Sequence, residues 1–256
     1  MPPTASPAPP AASSAASATA DAARRYDRLD ALRGLALVWM AVFHFCFDLA
    51  TFRLIDANFY ADPVWTTQRT AILSLFLLCA GAGQAVAVAQ QQSWPRFWRR
   101  WAQVAGCALL VSLGSALMFP NSWISFGVLH GMAVMLVAAR LLAPLRGALW
   151  PLGLAIVLLP QWVAHPFFDS RWTNWVGLVT HKPVTEDFVP IFPWLGVMLW
   201  GLAATQALLA RAPGWLAGPL PRPATPLAVF GRWSLSFYMV HQPVFIGALM
   251  LAMQLR

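Results

Sequence analysis

Leu29-Asp-Ala-Leu-Arg-Gly-Leu-Ala-Leu-Val-Trp-Met-Ala-Val-Phe-His-Phe-Cys-Phe-Asp-Leu-Ala-Thr51 is the stretch that decides the fold. It is almost wholly apolar and has about the 20 residues needed to cross a hydrocarbon core of about 30 Å. Six more such blocks follow, at residues 67–90, 98–119, 124–143, 147–163, 189–210 and 229–255. Unpaired backbone groups are too costly in lipid, so each block must be helical. The pattern predicts an all-α fold, a polytopic membrane helix bundle of about seven transmembrane helices.

Composition agrees. Of 256 residues, 59% are hydrophobic and only 10% charged, too few polar groups to solvate the surface of a water-soluble domain. The formal net charge of +8 is compatible with a nucleic-acid partner. That partner is rejected, because the arginines stand between apolar blocks, as topology signals do. Cys46, Cys79 and Cys107 lie inside blocks without metal-ligand spacing and read as small packing residues, so no metal is expected. Residues 1–25, mostly Pro, Ala and Ser, bury too little to fold and read as a disordered cytoplasmic tail. They lack the basic start and immediate apolar core of a signal peptide. Residues 26–256 form a single seven-helix domain.

Basic residues orient the bundle. Arg24, Arg25, Arg28, Arg33, Arg96, Arg99, Arg100, Arg140, Arg146, Arg211, Arg222 and Arg232 fall on one side of a seven-helix path. Arg53, Arg69, Arg171, Lys182 and Arg256 fall on the other, beside Asp56, Asp62, Asp169, Glu186 and Asp187. This asymmetry places the N-terminus in the cytoplasm and the C-terminus outside. Trp162, Trp172 and Trp175, in the long outer connection, read as an interfacial aromatic belt.

Polar groups inside a span are costly, and the first block has the most. Arg33 and His44 are eleven residues apart, close to three turns, so they share a face about 16 Å apart along the axis. Asp48 follows His44 by one turn. A carboxylate there suits an imidazole acting as a general base, by fixing its tautomer. Bland readings stand beside this one. Arg33 is equally an anchor snorkelling to lipid phosphates, and Asp48 is near enough to the outer end to be simply hydrated. His130 in the fourth block and His241 in the seventh fit function or an interhelix polar contact. Tyr238 and Gln242 add hydrogen-bonding capacity next to His241, and Pro243 is expected to kink that helix. The run Cys79-Ala-Gly-Ala-Gly-Gln84 is explained by close helix packing.

Arg33, ten residues, then His44 resembles the motif that opens the transmembrane acyltransferase superfamily. Phe126-Gly-Val-Leu-His130, Phe188-Val-Pro-Ile-Phe-Pro-Trp-Leu-Gly196 and Gly231-Arg-Trp-Ser-Leu-Ser-Phe-Tyr-Met-Val-His-Gln-Pro243 narrow the match. Together, from about Tyr26 to the C-terminus, they resemble the bacterial DUF1624 family, grouped with the catalytic domain of heparan-alpha-glucosaminide N-acetyltransferase. The resemblance implies transfer of an acyl group, acetyl first among them, from cytoplasmic acyl-CoA to a sugar-containing or glycolipid acceptor at the outer face. The acyl donor, the acceptor and membrane lipid are then the partners, with acetyl-CoA or another acyl-CoA as co-substrate and no metal or haem. Arg33, with Arg99 and Arg100, would meet the anionic donor. His44 would deprotonate the acceptor or briefly carry the acyl group, and Asp48 would orient it. His130 or His241 would polarise the carbonyl or position the acceptor, the latter together with Gln242 and Tyr238. The lysosomal enzyme has asparagine at the position of His44, and its implicated histidine follows the first helix, where residues 52–68 have none. The His44 arrangement is more similar to the wider superfamily that acylates cell-surface glycans. The rival reading is a transporter or exporter, with the polar residues lining a path.

Overall fold

The computed structural model describes residues 25–255. The expected tail, Arg24 included, and Arg256 lie outside the described residues, except for Arg25. The elements are α1 (Asp27–Thr51), α2 (Pro63–Ala89), α3 (Trp94–Met118), α4 (Val128–Leu142), α5 (Leu149–Leu158), α6 (Ile191–Arg211), the short α7 (Pro213–Ala217), α8 (Thr225–Arg232) and α9 (Ser234–Gln254). No strand occurs among the described residues. The chain is a helical membrane bundle.

Six stretches are long and apolar enough to cross a membrane, against about seven expected. The difference lies in Val128–Gln161, which counts as one stretch of 34 residues but is folded back on itself. Arg146 breaks it at φ 47°, ψ −112° inside the turn Ala143–Ala148. Contacts with α6 fix the two directions. Val189, just before α6, donates its backbone N–H to Phe126 (3.3 Å), and Gln206 near the end of α6 donates to the Ala143 carbonyl (2.9 Å), so α4 runs parallel to α6. Trp200 donates to the Trp150 carbonyl (3.2 Å), while Gly196 lies against Gly153 and Val157, so α5 runs antiparallel. The reversal divides the stretch into two antiparallel arms, α4 and α5. At 1.5 Å per residue, the 15-residue α4 and 10-residue α5 are each too short to be counted alone.

The block at 229–255 is also divided. Its first residues belong to α8, which lies against α1, and the spanning helix starts at Ser234. α9 continues through Pro243 without leaving helical geometry. Local chemistry explains the other starts. Pro63 opens α2, and the Asp62 side chain caps it by accepting from the Val64 N–H at 2.8 Å.

Helices α2, α4, α5 and α6 enclose a dense core with Leu77, Met135, Leu149, Met198, Leu199 and Leu202 fully buried. Two glycines let α2 and α6 touch backbone to backbone. A Cβ on Gly81 would sit 2.0 Å from the Met198 carbonyl oxygen, and one on Gly201 2.2 Å from that of Leu78. This is the close packing expected of the 79–84 run. Helices α1, α3 and α9 complete the bundle around open space. Their loops put the arginine-bearing connections at one end, here the arginine end, and the 162–190 connection at the far end.

Candidate active site

One cavity of about 2240 Å³ runs between α1, α2, α3, α4 and α9. Arg25, Arg33, Arg96, Arg100 and Arg232 line it at the arginine end, His44, Asp48, His241 and Gln242 further in, and Tyr60, Arg69, Lys182 and Glu186 at the far end.

The arginine mouth is built on α1, α3 and α8. Arg33 turns into the bundle instead of out to lipid. Its guanidinium binds Asp30 at 2.8 Å, one turn earlier, and lies 2.6 Å from where a Gly83 Cβ would be. Gly83 thus makes the room for it. Buried Asp30 also faces Arg232 (3.8 Å), which itself binds Asp27 at 2.9 Å. Arg100 feels Arg33, Arg25 and Asp30 electrostatically. Five guanidinium groups against one lining carboxylate, Asp30, leave an excess of positive charge suited to a polyanion. Arg99 does not line the cavity and is exposed, whereas Arg96 does line it. Arg96 and Arg100 are i,i+4 and share a face, so register groups these two.

Further in, Gln242 joins two α1 side chains. Its Nε2 donates to Asp48 Oδ1 at 2.7 Å, and its Oε1 stands 3.0 Å from His44 Nδ1. An ionised carboxylate only accepts, so the amide NH₂ faces Asp48. The amide oxygen also only accepts, so His44 Nδ1 is the protonated nitrogen and donates to it. The lone pair of His44 is therefore on Nε2, which bonds to nothing else among the described residues. Asp48 fixes the tautomer at one remove, through Gln242, and not by direct i,i+4 contact. His241 stacks on Phe237, with its ring centroid 5.1 Å from that of His44. It donates from Nδ1 to the Tyr238 carbonyl at 2.8 Å. His241 Nε2 and Asp48 Oδ2 are buried without a hydrogen-bond partner among the described residues. Three acceptor atoms thus belong to one cluster of neighbouring side chains.

The fold does not bring His130 to this cluster. Its Nδ1 accepts from the Gly127 N–H (3.3 Å), its Nε2 pairs with Ser112 Oγ (3.1 Å), and it is not among the cavity-lining residues. Nδ1 closes the start of α4, and Nε2 ties that start to α3. Tyr238 lines the cavity and packs with α1, α3 and α4 apolar residues.

A family model described as heparan-alpha-glucosaminide N-acetyltransferase, catalytic, matches residues 25–243. The chain belongs to this family. No curated protein and no solved structure matches it. The matched span of the heparan-alpha-glucosaminide N-acetyltransferase catalytic family holds every arginine of the mouth and ends one residue after Gln242. Membership supports a membrane acetyltransferase-type enzyme that uses an acetyl-CoA-type donor.

Proposed function

We propose that this chain transfers an acyl group, acetyl as the family's description suggests, from acyl-CoA at the arginine end to a sugar-containing or glycolipid acceptor from the far end. The observation that carries this reading is a single cavity that joins an arginine-lined mouth to an imidazole with a free, tautomer-fixed Nε2. The CoA phosphates meet Arg33, Arg96 and Arg100, and the pantetheine arm extends the thioester toward His44. The acceptor O–H or N–H gives its proton to His44 Nε2 as its oxygen or nitrogen bonds to the carbonyl carbon. The carbon–sulfur bond breaks, and the CoA thiolate takes that proton from the His44 imidazolium, which restores the base. Asp48 stabilises the imidazolium through Gln242. Excess basic residues at the arginine end favour a cytoplasmic location for it, in a bacterial inner membrane.

The test is thermal unfolding of the purified protein with acetyl-CoA, free CoA and an unrelated nucleotide. A ligand at a hundred times its Kd adds about 2.7 kcal/mol to the folded state. Stabilisation by acetyl-CoA that fades in Arg33→Ala supports the reading. A cavity reaching both ends also suits a carrier, the second reading. Absence of any CoA effect together with substrate flux into vesicles lacking a donor would establish the carrier instead.

A further inference from the structure

The wall of the cavity is incomplete on one side. α3 and α9 share an apolar cluster where Val104 and Ala108 meet Leu235, Tyr238 and Met239. Beyond Val111 on α3 and Met239 on α9, toward the far end, neither helix contributes to any shared apolar cluster. Met118 on α3 and Val240 and Met250 on α9 are at least half exposed there and line the cavity. With no shared cluster joining α3 to α9 in this half, these residues form the rim of the seam between the two helices. Gly114, on the same cavity face of α3, has no atom within 4 Å of where its Cβ would be. These rim residues lie in helices long and apolar enough to span the membrane, so the opening faces hydrocarbon.

We infer that the α3–α9 seam is a lateral entrance through which the hydrocarbon anchor of a lipid-borne acceptor reaches from the bilayer to the His44 cluster. The inference rests on the acyltransferase reading. Three observations select this occupant. The rim is apolar and uncharged, which suits alkyl chain and not a polar head group. It is continuous with the cavity that His44, Asp48 and His241 line. It opens in the far half, away from the arginines that receive the anionic donor, so the tail it admits is that of the acceptor. The head group then lies inside the cavity, with its hydroxyl or amino donors toward the unpartnered His241 Nε2 and Asp48 Oδ2.

The protein in lipid nanodiscs, with a dodecyl glucoside bearing a diazirine in its chain as probe, tests this. Photolysis is expected to label residues 110–118 and 240–250. Gly114→Trp, whose Cβ meets nothing within 4 Å, is expected to abolish that labelling. Gly247→Trp on α9, equally open but away from the cavity, is expected to leave it intact. Labelling spread evenly over the lipid-facing helices, and equal in both variants, would overturn the entrance. Acetyl transfer from acetyl-CoA is followed in the same discs. Seam labelling without product in any variant would sink the acyltransferase reading and leave the entrance standing. Product formed equally from methyl and dodecyl glucoside, unaffected by Gly114→Trp, would retain the enzyme and overturn the entrance.

Discussion

Gly81 and Gly201 lie where α2 crosses α6, and each is pressed against a backbone carbonyl of the other helix. Gly106 and Gly114 lie on α3, and the space beside each is empty. The same residue type serves opposite purposes in the two halves. In the α2–α4–α5–α6 half it removes volume so that helices meet, and six large side chains there lose all contact with lipid. In the α1–α3–α9 half the helices stand apart, and polar side chains at bilayer depth find partners in one another or in the cavity. Lipid gives helices no hydrophobic reason to associate, so packing must hold them. A rigid half that packs well permits a second half to stay open. Mutations should therefore separate cleanly: stability from one half, chemistry from the other.

The largest separation is expected at His44. Loss of a general base costs about 10²- to 10⁴-fold in rate. His44→Ala should lose that much acyl transfer and keep its melting temperature, measured by turnover and thermal unfolding on one preparation. Wild-type turnover in this variant would remove His44 from the chemistry. Gly201→Val should give the reverse pattern. Its added carbon falls 2.2 Å from the Leu78 carbonyl oxygen, and forced overpacking costs about 1–3 kcal/mol or more. A lower melting temperature with unchanged turnover per folded molecule is expected. Unchanged stability would mean that α2 and α6 are not held as tightly as their contact implies.

A finer comparison lies inside the open half, between Asp48 and its intermediary. Gln242→Leu keeps Asp48 and His44 but removes both hydrogen bonds. At about 1 kcal/mol for a hydrogen bond of this kind, kcat should fall roughly fivefold or somewhat more with the KM for acyl-CoA unchanged. ¹⁵N shifts of labelled His44 should show Nδ1–H in the parent and a mixture of tautomers in the variant. An unaltered tautomer would show that the imidazole is held by something other than Gln242.

Much of this bundle could be read from the chain, and the failures have physical causes. Seven apolar blocks are visible because lipid imposes a length and a polarity on every span. The reversal at Arg146 fits them. Boundaries at α8 and α9 were less legible, since Val229 and Phe230 are as apolar as any residue of a span. Arg33, His44 and Asp48 share a face of one helix, so periodicity alone groups them. Gln242 stands 194 residues from Asp48, and no spacing rule relates the two; only tertiary packing does. His130 had the same composition cue as His241. Its role as a tie between Gly127 and Ser112 depends on loop geometry that sequence does not display.

The smallest effect is expected where the far-end connection meets the rigid half. Asp187, outside the spans, accepts from the Val128 N–H at 2.6 Å and so caps the start of α4. Burial pushes its carboxyl above the ordinary range, and the hydrogen bond from Val128 opposes that shift only in part. The sign follows from proton binding. Between the unfolded value, about 3.9, and the raised folded value, the folded state holds the proton and the unfolded state does not. Stability from this group is therefore present at the lower pH and is lost as pH rises through the folded pKa. Asp187→Asn retains an oxygen to accept from Val128 but cannot titrate. Its melting temperature should stay level across the mildly acidic range where that of the parent declines with rising pH. A parallel decline in both proteins would assign the pH dependence to another group and leave Asp187 as a cap alone.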